Sequence, residues 1–260
     1  MNLEGVEGAS APPARFTLNR IQTLKEDILF CIDVDAESQL EMKVSTGVTS
    51  RPLTRLDAVK QAILMFVNAK ITIDPNHRFA FCAMGKSVSW VRKEFSNGVD
   101  SALSALRSIS ASPGGGPADL THLFRLAAHE AKKSRAQNRL FRVILFYCRS
   151  SSPPHYQWPT SQKLFTLDVV YLHDKPAPQN CPQKVYDALV DALEHVSEYE
   201  AFIFESGQGL PRVLFRQVST LLAHPQQRCI QDDLDFPKSL ARKTPADAMT
   251  GTEVVPVSSQ

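Results

Sequence analysis

Short, dense apolar runs alternate along this chain with stretches in which apolar residues recur every three or four positions. The first run, Asp27 to Glu37 (DILFCIDVDAE), passes from apolar and β-branched side chains straight into Asp33, Asp35 and Glu37. Such a run reads as a buried strand whose carboxyl end reaches the surface, where open α/β sheets keep their ligands. Arg78–Met84 (RFAFCAM) and Ser87–Val91 (SVSWV), joined at Gly85-Lys86, predict an antiparallel hairpin. Leu140–Cys148 (LFRVILFYC) is the strongest strand and belongs at the centre of a sheet, with Leu164–Leu172 and Tyr199–Phe204 as further strands.

Between these runs the spacing is helical. Thr54 stands as an N-cap before Leu56, Val59, Ile63, Phe66 and Val67, in a helix that ends ahead of Asp74-Pro75. A second helix spans Val99 to about Ile109 with Leu103 and Leu106 inward, and Asp119 caps a third, LTHLFRLAAHEAKK. Its end carries Lys132, Lys133 and Arg135, the favourable charge for a helix carboxyl terminus and a solvated face rather than a nucleic-acid patch. Gln183–Val196 is the next helix. The last runs from Pro211 through Val213, Val218, Leu221 and Leu222 to Ala223. Strands alternating with helices imply an α/β, doubly wound, mostly parallel sheet with helices on both faces. Ser38–Arg55 and Ser112–Pro117 (SPGGGP) read as loops, and Ser150–Pro159 as an ordered one. Residues 1–14 form a flexible lead-in, 15–224 one domain, and 225–260 a polar segment that loses regular structure by about Leu240.

Composition narrows the class. At 260 residues with 43% hydrophobic content the chain can bury a sizeable core, and a net charge of +2 gives no field on the scale nucleic acid requires. Cys31, Cys82, Cys148, Cys181 and Cys229 are scattered without a C-x-x-C, as reduced, packed thiols of an intracellular protein would be. No apolar segment approaches the ~20 residues of a membrane span, and the start lacks a signal peptide's pattern.

Candidate chemistry is sparse. Ala80–Ser87 fits a loose phosphate-loop pattern, but a phosphate cradle needs a glycine-rich loop whose Lys and Ser open a helix, and Lys86-Ser87 precedes a β-branched run. There is no G-x-S-x-G, no H-E-x-x-H and no paired Cys and His at ligand spacing; His122 and His129 read as surface residues of one helix. Asp168, inside an apolar strand, is either a buried functional acid or the partner of a neighbouring backbone or basic group.

The first strand resembles the opening of von Willebrand A (VWA) domains, where Asp-x-Ser-x-Ser helps hold a divalent cation. Asp33 takes the first position, and Asp35 and Glu37 replace the serines. That resemblance implies a threonine ligand after a glycine-rich turn, where this chain has Pro117, and an aspartate beyond the central strand, where it has Cys148, Arg149 and Ser150. Proline offers no side-chain oxygen and an arginine repels a cation, so the metal site reads as degenerate. The competing reading is a metal-dependent VWA ligand-binding module using Asp33, Asp35, Glu37 and a shifted Asp119.

Five segments in order, VDSALSALRSI, DLTHLFRL, RVILFYCRSSSPP, FTLDVVYLHD and LLAHPQQRC, resemble the BRISC and BRCA-A complex member family over Arg15 to Arg228. The short N-terminus departs from the long acidic tail of vertebrate members and points to a non-vertebrate, plant-like one. The resemblance implies a VWA-like, non-catalytic scaffold without cofactor, in nucleus and cytoplasm, contacting neither nucleic acid nor membrane. It implies a complex with a UEV-containing subunit as direct partner, an MPN-type zinc deubiquitinase and its inactive paralogue, trimming non-degradative polyubiquitin chains in DNA-damage response and repair.

Within that reading, Leu221 to Arg228 is the expected attachment point. Leu221 and Leu222 diverge by about 100° on a helix, so one is expected to face outward. His224 and Pro225 then end the helix, and an extended Pro-x-x-Arg peptide would present Arg228 to a groove. Cutting after Ala223 is accordingly expected to leave the domain intact.

Overall fold

The strand with the most continuous apolar run takes the middle of the sheet, because only a strand covered on both faces can bury such a run. A computed structural model describes residues 23–42, 53–112, 116–159, 163–207 and 211–234. The expected lead-in at 1–14, the segment 43–52, residues 113–115 of SPGGGP and the tail from 235 lie outside the described residues.

Strands β1 (Lys25–Asp33), β2 (Arg78–Met84), β3 (Val88–Ser96), β4 (Arg139–Tyr147), β5 (Thr166–Leu172) and β6 (Ile203–Ser206) form one sheet in the order β3-β2-β1-β4-β5-β6. All neighbours are parallel except β2 and β3, the expected hairpin. The chain order reverses between β1 and β4, so the crevice above that pair is the switch point of the sheet.

Helices cover both faces. Ile28, Phe30 and Ile32 point to the side of α1 (Arg55–Ile73), α2 (Val99–Ser108) and α5 (Pro211–Thr220), where Ile63, Phe66, Leu106 and Leu214 pack on them. Leu29 and Cys31 point to α3 (Leu120–Ala136) and α4 (Pro182–Val196), against Leu123, Phe124, Val185 and Leu189. Thr54 caps α1 by accepting from the Asp57 N–H at 3.0 Å, and Asp119 caps α3 by accepting from Thr121 N–H at 2.8 Å. The 150–159 loop is ordered: His155 exchanges backbone bonds with Ala118 and Leu120, and Tyr156 and Trp158 pack edge-on against Phe124.

Some boundaries move. β3 runs on past Val91 to Ser96, because an edge strand tolerates Arg92, Lys93 and Glu94. The inner face of α2 is Ala102, Ala105 and Leu106, with Leu103 only half-buried. The strand expected at Tyr199–Phe204 starts at Ile203, and α5 stops at Thr220. Residues 225–234 continue to pack rather than extend: two 3₁₀ turns follow α5, and the Gln231 side chain pairs with both backbone groups of Ile203 at 2.7 Å.

Candidate functional site

Asp33 closes β1 at the switch point and is fully buried. A carboxylate there requires positive charge or several donors. It has both: the backbone N–H groups of Asp35 and Cys148 donate to it at 3.1 Å, and Arg149 Nε and Nη2 donate at 3.0–3.2 Å. Arg149, immediately past β4, also donates to the Gly116 carbonyl at 2.6 Å and the Gly85 carbonyl at 2.5 Å. Gly116 has φ of +123°, a backbone state that suits glycine. Burial raises the Asp33 pKa against the opposing pull of Arg149. Burial also works against the Arg149 charge, but Asp33 outweighs it and keeps the arginine's pKa above its ordinary value.

The other candidate ligands have their own partners. Glu37 accepts from the Ser150 N–H at 2.9 Å and its hydroxyl at 2.6 Å, with Arg55 at 3.6 Å. Asp35 caps the turn Ala36–Gln39, and Asp119 caps α3 with His155 at 3.8 Å. Pro117 is exposed on the loop between Gly116 and α3. Among the described residues no group of three or more His, Cys, Asp and Glu is placed to hold a metal ion. With a guanidinium already seated on Asp33, the set does not fit the divalent cation of the VWA pattern.

At the opposite end of the sheet lies a buried charge chain that sequence reasoning mostly missed. Lys70 of α1 bonds Glu26, whose other oxygen accepts from Arg142 of β4 at 3.2 Å. Arg142 then donates to Asp168 of β5 at 2.6 Å and to the Leu221 carbonyl at 2.7 Å. Burial pushes the Asp168 carboxyl up, but Arg142 and Arg228 outweigh it and hold it at about 2. Asp168 is therefore the partnered acid of the two readings the sequence left open. The missed signal was Arg142 itself, a charge on the same strand face as Ile144 and Phe146, which demands a countercharge from the next strand.

That chain corrects the expected free peptide. Arg228 donates to Asp168 at 2.6 and 3.0 Å, its side chain is fully buried, and its guanidinium lies 4.4 Å from the Phe202 ring centre. Pro225 is buried, and His224 Nε2 donates to the Leu24 carbonyl at 2.9 Å. Leu221 is in the core and Leu222 packs half-buried against it. The physical reason is charge: three buried cations, Lys70, Arg142 and Arg228, and two buried acids, Glu26 and Asp168, lie at this end and need one another more than Arg228 needs solvent.

Elsewhere, Lys86 is exposed in the hairpin turn and opens a strand, not a helix. His122 and His129 are exposed on α3, and Lys133 and Arg135 pair with Glu130 and Glu198. All five cysteines are unpaired; Cys31, Cys82 and Cys148 are buried. No helix among the described residues is long and apolar enough to cross a membrane.

No protein-family model matches the chain. It is 25% identical to "BRISC and BRCA1-A complex member 1" of Rattus norvegicus over 229 residues, 81% of this chain and 66% of that protein. The Homo sapiens protein of the same name is 25% identical over 244 residues, 87% of this chain and 71% of that protein. The chain is similar, over about four fifths of its length, to proteins named BRISC and BRCA1-A complex member 1. It thus spans about two thirds of the length of these curated relatives. Among solved structures, the VWA domain of SpRpn10 superposes with a TM-score of 0.51 at 16% identity, over 76% of this chain and 95% of that one. The PilB minor pilin from Streptococcus sanguinis gives 0.54 at 9% identity, over 78% and 61%. These two likenesses concern the fold alone. The fold of this chain is VWA-like, with Arg149 on the aspartate that opens the VWA cation motif.

Proposed function

We propose that this chain is a non-catalytic scaffold subunit that maintains a deubiquitinase complex acting on non-degradative polyubiquitin chains in DNA-damage response and repair. The observation that carries this reading is the match, over four fifths of the chain, to proteins named as members of the BRISC and BRCA1-A complexes. The site geometry agrees with it: the crevice where α/β sheets hold ligands is filled by the Asp33–Arg149 pair. Its partners would be a UEV-containing subunit in direct contact, with an MPN-type zinc deubiquitinase and an inactive paralogue in the same assembly, in nucleus and cytoplasm. The C-terminal stretch would take part as a folded surface, through half-buried Leu222 and exposed Gln226 and Gln227, instead of as an extended peptide.

Affinity purification of the tagged full chain from its own cells tests this. The expected result is co-recovery of the three partners with polyubiquitin-cleaving activity that a zinc chelator abolishes. Recovery of the chain without a deubiquitinase would contradict it.

A further inference from the structure

We propose that Arg149 is the resident cation of this VWA-like fold: its guanidinium takes the place of the divalent ion and ties the loops at the carboxyl end of the sheet together without metal. This goes beyond the scaffold reading and does not depend on it. The guanidinium is surrounded by oxygen in the way a hard cation would be. Both carboxylate oxygens of Asp33 accept from it at 3.0–3.2 Å, and the carbonyls of Gly116, Gly85 and Met84 accept at 2.6, 2.5 and 3.4 Å. These oxygens come from three separate segments: the end of β1, the start of the β2–β3 turn, and the loop before α3. A planar fork with fixed donors can bridge that many acceptors, whereas an ammonium is a point charge.

Two consequences follow from the chemistry. An arginine does not dissociate and does not titrate in the physiological range, so the arrangement is indifferent to divalent-ion concentration. A bound divalent ion, by contrast, can leave a coordination position open to a further oxygen ligand. A guanidinium whose donors are turned onto Asp33 and three carbonyls offers no such position, so partners at this end must be gripped by other means.

The Asp33 pocket should therefore become a binding site once Arg149 is removed. The test is thermal melting of the purified full chain, its Arg149→Ala variant and the Asp33→Asn/Arg149→Ala double variant. Each is titrated with guanidinium at concentrations far below denaturing ones, and separately with Mg²⁺, Ca²⁺ and Mn²⁺. The expected result is a melting midpoint of the single variant that lies below the wild type and rises by several degrees with guanidinium or a divalent ion. The wild type and the double variant should show no such rise, since a ligand raises stability only where it binds the native state. A single variant that melts like the wild type, or that no cation raises, would overturn the proposal, as would a midpoint of the wild type raised by divalent ions. Should the single variant fail to fold, the double variant decides. Recovery of a folded protein on neutralising Asp33 supports the proposal, and continued failure means that Arg149 acts through packing alone.

Discussion

Arg228 holds Asp168 with both arms of its guanidinium, at 2.6 Å to Oδ1 and 3.0 Å to Oδ2, with neither side chain exposed. A segment that reads as a peripheral peptide is thereby fastened to β5, a strand of the sheet interior. Removing one member of a buried ion pair leaves an uncompensated charge. Arg228→Ala should accordingly lower stability by roughly 3 kcal/mol or more, while Gln227→Ala, at an exposed site, should stay within about 0.5 kcal/mol. Urea unfolding midpoints of the two variants check this. Near-equal midpoints would mean that the pair contributes little.

Cutting after Ala223 should also destabilise the domain, contrary to the expectation from sequence. The cut removes Arg228, the buried Pro225, and His224 with its bond to the Leu24 carbonyl. A loss of partner recovery in such a truncation would then report on folding rather than locate an interface. Circular dichroism melting of the truncated chain decides, and an unshifted midpoint would restore the peripheral-peptide reading.

Acid should weaken the fold in a defined window. His77 accepts from the Glu26 N–H at 3.0 Å and is pushed down to about 4, with burial as the leading cause and Glu26 opposing it. His224 is also lowered, again chiefly by burial. A histidine whose folded pKa lies below its unfolded value of about 6.5 contributes stability that is complete above that value. The contribution shrinks as pH falls and is gone below about 4. For His77 it amounts to about 3 kcal/mol across the window. Stability measured from pH 7 to pH 4 should fall, and His77→Asn, which keeps an acceptor for Glu26, should flatten the slope. An unchanged slope in that variant would place the acid sensitivity elsewhere.

Lys86 tests the hairpin against the phosphate-loop reading. It is exposed between β2 and β3, so Lys86→Ala should alter stability by less than about 0.5 kcal/mol. Calorimetry should detect no ATP binding by either protein. ATP binding that the substitution abolishes would show that Ala80–Ser87 does cradle a phosphate.

Periodicity made the sheet and its helices legible, because β1 and β4 are buried on both faces and α1 and α3 carry clear caps in Thr54 and Asp119. The short edge elements were read less well. β6 is only 4 residues long, and Glu200 supplies acceptors to Arg228 and Gln231 instead of joining the strand. At the site, the residue types at positions 33, 117 and 149 were enough to doubt a metal. They could not show that Arg149 turns back onto Asp33, since that depends on β1 and β4 being neighbours. The buried charge chain was hidden for the same reason. Glu26, Lys70, Arg142, Asp168 and Arg228 come from four elements and the C-terminal stretch, and each alone looks like an ordinary charged residue.

The central claim is that the chain holds an assembly together and performs none of its chemistry. The direct measurement is reconstitution of the deubiquitinase complex from purified subunits with and without this chain, reading assembled mass by native mass spectrometry and polyubiquitin cleavage per zinc site. The account predicts no cleavage by the chain alone, a large drop in intact complex when it is omitted, and little change in the rate of each complex that does form. An unchanged yield of intact complex without the chain, or cleavage by the chain alone, would contradict it.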